Sequence, residues 1–219
     1  MPNHIVNILR VNGSKEQANK VFAYMKTNHS EFDFNKIIPM PEELNIESSS
    51  DGRVGMEYLL YKSKDGFERY VDTYERIEKL PEERKNKIIE LGRRYLSNIA
   101  KLGYTNWYDW CNANWGTKWN AYDIEKIDDY TIEFNTAWSG VSDLIRQLSL
   151  KFPDVEFEYT YADEDAGYNT GKGTIVNGIS EMYYPIGGSK ESFEIYFETR
   201  EWARDYYELV DGEYKYVED

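Results

Sequence analysis

Cysteine and histidine are almost absent from this sequence of 219 residues. It contains one cysteine, Cys111, and two histidines, His4 and His29. A disulfide within the chain is therefore impossible, and a cysteine-rich zinc site or an iron–sulfur cluster would have too few ligands. We expect no metal and no other cofactor, and we expect Cys111 to be a buried, unreactive thiol.

Long apolar runs are also missing. None approaches the ~20 residues that a membrane-spanning helix needs, and the start of the sequence lacks the basic and apolar segments of a signal peptide. These absences favour a cytoplasmic protein. Aromatic residues, in contrast, make up 16% of the chain and include 20 tyrosines. Disordered chains are poor in aromatics, so this chain is expected to bury a core.

Basic residues are outnumbered, and the net charge is -14. Residues 153–219 hold 17 acidic and five basic residues, so most of the excess lies in the last third. Direct nucleic-acid binding is disfavoured because it needs clustered lysine and arginine. The acidic surface either only aids solubility or meets a basic protein partner, such as one that itself binds nucleic acid.

The order of predicted elements indicates an α+β fold. Strands are predicted at residues 4–11, 32–38, 130–138 and 155–161, and helices at residues 14–28, 54–63, 66–78, 81–103 and 141–152. This order predicts one ferredoxin-like domain over residues 1–219, a split βαβ antiparallel sheet with two helices on one face. A large, mostly helical insertion at residues 42–124 separates the second and third strands. Residues 162–219 form an acidic, β-rich C-terminal extension.

Two turn signals and one ambiguous segment lie in that extension. Asn177-Gly178 and Asp211-Gly212 each predict a β-hairpin. Residues 190–206 are harder to assign, because F-E-I-Y-F alternates like a strand whereas the segment from Glu198 onward has a helical pattern.

The most unusual stretch is N-W-G-T-K-W-N-A-Y-D, which has neither helical nor strand periodicity. One interpretation is structural: the tryptophans fill a gap in the core and the amides cap local backbone groups. The other is a binding site, in which aromatic faces stack on a base or a sugar and polar groups read its edges. The candidate binding residues are Asn114, Trp115, Gly116, Thr117, Lys118, Trp119, Asn120, Tyr122, Asp123 and, on the following strand, Trp138.

Other candidate sites are weaker, and no catalytic residue is predicted. His4 has no nucleophile paired with it in the sequence, so a hydrogen-bonded structural histidine is expected. The acidic run from Asp163 to Asp165 lacks the spacing of a calcium loop and is expected to be a solvated turn. The glycine-rich run from Gly167 to Thr174 fails the spacing of a phosphate-binding loop.

Four motifs together resemble a known family. M-P-N-H, I-I-P-M-P, N-W-G-T-K-W-N-A-Y-D and T-A-W-S occur here in the same order as in YubB-type proteins with a ferredoxin-like domain. The resemblance extends from Met1 to about Tyr161. It implies a ferredoxin-like fold and carriage on phages, plasmids and integrated elements, but no activity, because none is assigned to that family.

Two hypotheses for function follow. The first is a non-catalytic interaction protein of a mobile element, which binds and modulates a host or element protein. The alternative is a protein or enzyme that holds a small nucleotide- or sugar-like ligand with the Trp-rich stretch. RNA binding on the sheet is disfavoured, because V-E-F-E-Y-T-Y places glutamates at the exposed positions of the strand.

Overall fold

The computed structural model describes residues 2–62 and 70–217. Its residues group into two compact units, one formed by residues 1–39 with 112–219 and the other by residues 40–111. Residue 63 of one predicted helix and residues 66–69 of the next lie outside the described residues.

The first unit is built on an antiparallel sheet of six strands. Its strands are β1 (His4–Asn12), β2 (Tyr122–Lys126), β3 (Thr131–Ala137), β4 (Glu156–Asp163), β5 (Thr170–Val176) and β6 (Ile179–Tyr183). The strand order is β2-β3-β1-β4-β5-β6, and every neighbouring pair is antiparallel. The predicted hairpin between β5 and β6 is confirmed, and Asn177 and Gly178 take the positive φ values that its turn requires.

Helices of this unit are α1 (Lys15–Met25), α6 (Ser142–Ser149) and α7 (Lys190–Thr199). The predicted start of α1 is confirmed. Ser14 accepts a hydrogen bond from the Gln17 backbone, and the Gln17 side chain accepts one from the Ser14 backbone. This reciprocal pair satisfies two of the backbone donors that a helix leaves free at its start.

The core of the sheet follows from the alternation along β1. Ile5, Leu9 and Val11 are buried on one face, together with Phe157 and Tyr159 of β4. Ala162 has the opposite parity on β4 and therefore points to the other face. There it packs with α7, so helices cover part of both faces of the sheet.

A polar residue lies among these apolar ones. Asn7 is fully buried, and its Oδ1 accepts a hydrogen bond of 2.5 Å from the Tyr159 hydroxyl. The same hydroxyl accepts a bond of 2.7 Å from the Val141 backbone, just before α6. The Asn7 Nδ2 lies 3.1 Å from the Phe134 carbonyl and 2.9 Å from the Thr136 hydroxyl. One amide thereby links β1, β3, β4 and the start of α6.

The prediction of a strand at Phe32–Ile38 is wrong. Phe34–Lys36 forms a short 3₁₀ helix, because the Asp33 carboxylate caps the Asn35 backbone at 2.9 Å. Such local capping competes with strand pairing. β2 instead begins at Tyr122, inside the predicted limits of the insertion, and residues 40–111 precede it in the chain.

The strand-like interpretation of F-E-I-Y-F is also wrong, because these residues lie in α7. Ser189 caps the helix by accepting a hydrogen bond from the Ser192 backbone. Phe193, Tyr196 and Phe197 then fall on the face that packs against Ala162. Spacings of three and four residues place side chains on one helical face, so the apolar positions fit a helix as well as a strand.

A second, two-stranded sheet follows α7. A 3₁₀ helix (Glu201–Tyr206) leads into β7 (Tyr207–Val210) and β8 (Glu213–Tyr216). The turn falls at Asp211-Gly212, so the predicted hairpin is confirmed. Tyr207 and Tyr214 pack against the buried cluster that contains Phe193 and Phe197.

The second unit is helical. It contains a short 3₁₀ helix (Glu42–Leu44), α2 (Ser50–Tyr61), α3 (Val71–Glu78) and α4 (Glu82–Leu102), and the chain continues into α5 (Trp107–Asn114). The predicted limits of α4 are confirmed, since Pro81 precedes it and Gly103 ends it with a φ of 79°. In the described parts of the chain, no helix has both the length and the apolarity needed to cross a membrane.

Close backbone contact holds α2 against α4. A Cβ atom at Gly92 would lie 2.2 Å from the carbonyl carbon of Gly55, and one at Gly55 would lie 2.0 Å from the Ile88 carbonyl oxygen. These glycines are therefore required by the distance between the two helices. Tyr58, Ile77 and Ile88 form the buried cluster beside them.

We expect Gly92→Ala to destabilise the helical unit. Glycine to alanine normally stabilises an exposed helix position by up to ~1 kcal/mol. Here the added methyl group overpacks the contact, at a cost of about 1–3 kcal/mol. Ser97→Ala, at an exposed position of the same helix, is the control. Thermal unfolding followed by circular dichroism tests this, and equal midpoints for the two variants would contradict it.

Candidate functional site

The Trp-rich stretch runs from the last residue of α5, through an irregular segment, into β2. Its side chains divide into two groups. Trp115, Thr117 and Asn120 are directed into the first unit. Lys118, Trp119 and Tyr122 are half-buried and interact with one another or with neighbours near the end of the sheet.

Trp115 and Thr117 anchor the segment. Trp115 is 4% exposed, donates from Nε1 to the Ile38 carbonyl at 2.9 Å, and meets the Phe34 ring edge-on. The Thr117 hydroxyl donates to the Ala137 carbonyl at 2.9 Å and accepts from the Ala137 backbone at 3.0 Å. A side chain thus extends the hydrogen bonding at the end of β3, and it fixes where the irregular segment lies.

Asn120 joins this segment to the 3₁₀ helix at Phe34–Lys36. Its Oδ1 accepts from the backbones of Phe34 and Ala121, both at 2.9 Å. Its Nδ2 donates to the Asp33 carboxylate at 2.7 Å. The side-chain amide of Asn120 therefore forms three hydrogen bonds within the fold.

A lysine lies between two indoles in the second group. The Lys118 Nζ is 4.5 Å from the centroid of the Trp119 ring and 5.1 Å from that of Trp138. Both separations are in the range of a cation–π interaction. The arrangement places a positive charge beside two flat faces, and Trp138 is 39% exposed.

Trp138 has an unusual backbone. Its φ is 73°, in the left-handed region that a bulky side chain rarely adopts. Its backbone N–H donates to the Asn3 carbonyl at 3.0 Å, and its carbonyl accepts from the Asn169 side chain at 3.0 Å. The strained conformation is therefore held from both sides, and it sets the direction of the indole.

Tyr122 and His4 complete the group. The Tyr122 hydroxyl lies 2.6 Å from His4 Nδ1 and 3.3 Å from the Thr136 carbonyl. Burial, followed by the charges of Asp123 and Glu164, raises the pKa of Tyr122, so the phenol stays protonated at neutral pH. Trp119 meets the Tyr122 ring edge-on. His4 has the hydrogen bond expected of it, but the sequence did not indicate its proximity to this group, which depends on the pairing of β1 with β3.

Three other candidates are placed differently. Asn114 ends α5. Gly116 is exposed with a φ of 75°, and Asp123 is exposed with a φ of 47°. Asp123 accepts a hydrogen bond of 3.3 Å from the Asn135 side chain. In the sequence, these residues lie on either side of Lys118, Trp119 and Tyr122.

The acidic run from Asp163 to Asp165 was expected to be a solvated turn, and this is correct for only two of its three residues. Glu164 and Asp165 are exposed, but Asp163 is 5% exposed and lies at the end of β4. Its carboxylate accepts from the side chains of Asn3 at 3.0 Å and Asn169 at 2.8 Å. Both asparagines also form hydrogen bonds with the backbone of Trp138. The Asp163 carboxylate therefore helps to hold Trp138 in its strained conformation through these two residues.

Cys111 lies in an environment that disfavours its thiolate. Burial raises the pKa of Cys111 to about 12, so its thiol remains protonated at neutral pH. In residues 2–62 and 70–217, no three histidine, cysteine, aspartate or glutamate side chains are grouped to hold a metal ion.

Comparison with known proteins gives one family model. Residues 114–209, less than half of the chain, match the model described as the ferredoxin-like domain in Api92-like protein. The crystal structure of protein api92 from Yersinia pseudotuberculosis aligns with 85% of this chain and 99% of that chain, at 12% identity and a TM-score of 0.37. No curated protein is significantly similar in sequence. The matched region contains the Trp-rich stretch and β2 to β6.

The anchored amide of Asn120 and the exposed carboxylate of Asp123 predict different responses to mutation. Asn120→Ala removes three hydrogen bonds and leaves the backbone N–H of the buried Phe34 unsatisfied, which costs about 1–3 kcal/mol of stability. Asp123→Asn is the matched control, because asparagine tolerates the left-handed conformation at this exposed position. Thermal unfolding of both variants checks this, and a parental midpoint for Asn120→Ala would show that its bonds do not support the fold.

Proposed function

We propose that this chain is a non-catalytic interaction protein of a mobile element, which binds and modulates a basic protein of its host or of the element. The negative charge of the last third of the chain favours a positively charged partner. The surface that supports the proposal best lies on the β7–β8 hairpin and the 3₁₀ helix before it. We call it the hairpin surface, and its apolar members are Trp202, Tyr206 and Tyr216.

Aromatic rings are unusually exposed on the hairpin surface. Trp202 is 66% exposed, Tyr206 46% and Tyr216 61%. The Tyr206 and Tyr216 rings are parallel at 6.3 Å, and Trp202 meets Tyr206 edge-on at 6.2 Å. Contiguous exposed apolar patches mark interaction sites more often than single exposed residues do. Tryptophan and tyrosine are also the residues that most often dominate the energy of an interface.

The base of this surface is well packed. Tyr207 and Tyr214 lie against Phe193 and Phe197 of α7, with ring centroids 5.1 to 5.7 Å apart. Glu194 forms a 2.6 Å ion pair with Arg204 and accepts a hydrogen bond from the Tyr214 hydroxyl. A surface held in one conformation loses little entropy when it binds.

Negative charge surrounds the rings. Glu201, Asp205, Glu208 and Glu213 are all exposed. Of the nearby cations, Arg204 pairs with Glu194, Arg200 lies over the Tyr196 ring, 5.1 Å from its centroid, and Lys215 of β8 is exposed. A field of one sign steers a partner of the opposite sign, and arginine also interacts favourably with aromatic faces. A basic, arginine-containing partner surface therefore fits best.

The proposal also includes a cellular setting and a specific topology, and each has its own support. Carriage on a phage or plasmid rests on the resemblance of the motifs to YubB-type proteins. A place in the cytoplasm rests on the lack of a signal-peptide pattern and of long apolar runs in the sequence. The split βαβ arrangement, formed by β1, α1, β2, β3, α6 and β4, is supported by the strand order β4-β1-β3-β2 within the sheet. The helical unit is then inserted between the first helix and the second strand, and residues 162–219 are an extension.

A second candidate function is the binding of a small anionic ligand with a flat ring, such as a nucleotide. The observation that favours it is the Lys118 ammonium near the rings of Trp119 and Trp138, the second of which has a strained backbone. Strain of this kind clusters at functional sites. Trp115 and Asn120 contribute to such a site by holding the segment in place.

The hairpin surface is tested by a double variant, Trp202→Ala with Tyr216→Ala. We expect basic proteins retained from a cell lysate at low salt to fall about tenfold, since truncating central aromatic residues costs at least ~1.4 kcal/mol. Tyr168→Ala, an equally exposed tyrosine between β4 and β5, is the control and should retain them. If the same proteins stay bound to the double variant, the hairpin surface is not the docking site.

The ligand candidate is tested with nucleotides and sugars, by tryptophan fluorescence and thermal shift. Lys118→Gln should weaken any binding about tenfold, the size of one charge-assisted contact of ~1.4 kcal/mol, without lowering the unfolding midpoint. Lys36→Gln is the matched control, because Lys36 also lies over a ring, that of Tyr24 at 5.3 Å. No quenching by any compound would count against this second candidate.

A further inference from the structure

The two edges of the six-stranded sheet differ in how they are protected. β2 forms one edge, and its pairing with β3 has a register shift between Tyr122 and Glu125. It also carries Asp123, Glu125 and Lys126. Irregular pairing and charged side chains are the means by which proteins prevent an edge strand from pairing with another chain.

β6 forms the other edge and has little of this protection. Its pairing with β5 is regular over five residue pairs, from Val176 with Ile179 to Lys172 with Tyr183. Ile179 is 62% exposed and Tyr183 56% exposed, and Glu181 is the one charged residue of the strand. Among the described residues, no segment pairs with its outer side. We call this outer side the open edge.

The phase of the ladder identifies the backbone groups at the open edge. The turn has two residues, so the flanking pair, Val176 and Ile179, exchanges hydrogen bonds across the hairpin. Bonded pairs alternate along an antiparallel ladder. Glu181 and Tyr183 therefore also bond to β5, and the N–H and C=O groups of Ser180 and Met182 point outward.

Side chains alternate in the same way. Ile179, Glu181 and Tyr183 share one face of β6, and Ser180 and Met182 share the other. On the first of these faces, every second side chain of an added strand would lie opposite Ile179, Glu181 or Tyr183, which are apolar, acidic and apolar in turn. Cross-strand pairs of opposite charge and pairs of apolar residues both stabilise a sheet. The added strand that fits best therefore carries an apolar, a basic and an apolar side chain at every second position.

We propose that the open edge accepts an extended basic segment of the partner protein as a seventh strand. This rests on the proposed function, from which it takes the partner's charge, and it adds the mode of recognition, which is main-chain pairing with selection at alternate side chains. A second copy of this chain fits poorly. The antiparallel register that pairs all five residues sets Glu181 opposite its own copy, and both chains carry a net charge of -14.

The probe is a fluorescein-labelled heptapeptide, T-V-T-K-T-V-T, whose binding is measured by fluorescence anisotropy. We expect saturable binding to the parent protein. Ser180→Pro with Met182→Pro removes both outward N–H donors but leaves those that face β5, so proline is tolerated there. Its dissociation constant should rise at least tenfold. Ser180→Thr with Met182→Val keeps both donors and is the matched control, and circular dichroism verifies that both variants are folded.

Charge exchange supplies a second test. Glu181→Lys should bind T-V-T-K-T-V-T at least tenfold more weakly than the parent does, and should bind T-V-T-E-T-V-T more tightly than the parent does. Equal binding of both peptides by both proteins, or equal binding by the proline and control variants, would overturn strand addition at this edge. Lack of saturable binding to the parent would overturn it as well.

The hairpin variant separates this inference from the proposed function. Trp202→Ala with Tyr216→Ala should bind the peptide as the parent does. If lysate proteins depend on the hairpin surface but the peptide never binds, the open edge is refuted and the proposed function stands. If the peptide binds as expected but lysate proteins are retained equally by the hairpin variant, the edge is supported and docking on the hairpin surface is refuted.

Discussion

The buried amide of Asn7 is the interaction on which the rest of the first unit depends. It is fully buried in the middle of β1, where an unsatisfied polar group would cost several times the net gain of a single hydrogen bond. The bonds to Tyr159, Phe134 and Thr136 satisfy it, and they also fix the relative positions of three strands. Thr136 in turn donates to the Ser139 carbonyl at 2.7 Å. The chain between β3 and α6 is thereby set, and this is where Trp138 adopts its left-handed backbone.

The Trp-rich stretch combines anchored side chains with the proposed ligand-binding side chains within ten residues. Trp115, Thr117 and Asn120 form hydrogen bonds with backbone groups of the same unit, and Asn120 also donates to the Asp33 carboxylate. They hold the intervening Lys118 and Trp119 in a defined position. The structural and functional interpretations of the motif are therefore compatible, because anchoring one set of side chains is what presents the other.

Local signals explain which parts of the fold could be predicted. The capping box at Ser14, the Pro81 and Gly103 limits of α4 and the two hairpin turns each depend on backbone preferences of a few residues. The strand prediction for Phe32–Ile38 failed although its apolar pattern suits a strand. The Asp33 carboxylate accepts from the Asn35 backbone, and the Asn120 amide, 86 residues beyond Phe34, accepts from the Phe34 backbone. No local pattern contains that second partner.

The candidate site was predictable only in part for the same reason. Its residues are close in sequence, and their composition revealed them. His4 begins β1, and the asparagines that hold Trp138 lie directly before β1 and β5. Pairing among β1, β3, β4 and β5 brings these distant parts of the chain together. Asp163 was expected in water because its neighbours are acidic, yet two amides supply the donors that make its burial possible.

The burial of Cys111 has a practical consequence. It is the one thiol of the chain, it is 2% exposed, and its sulfur lies 3.9 Å from that of Met40. While the protein is folded, air oxidation has no accessible thiolate to act on. A disulfide-linked dimer on a non-reducing gel would therefore record that molecules had opened at this position during handling, so the native cysteine serves as an internal indicator of sample history.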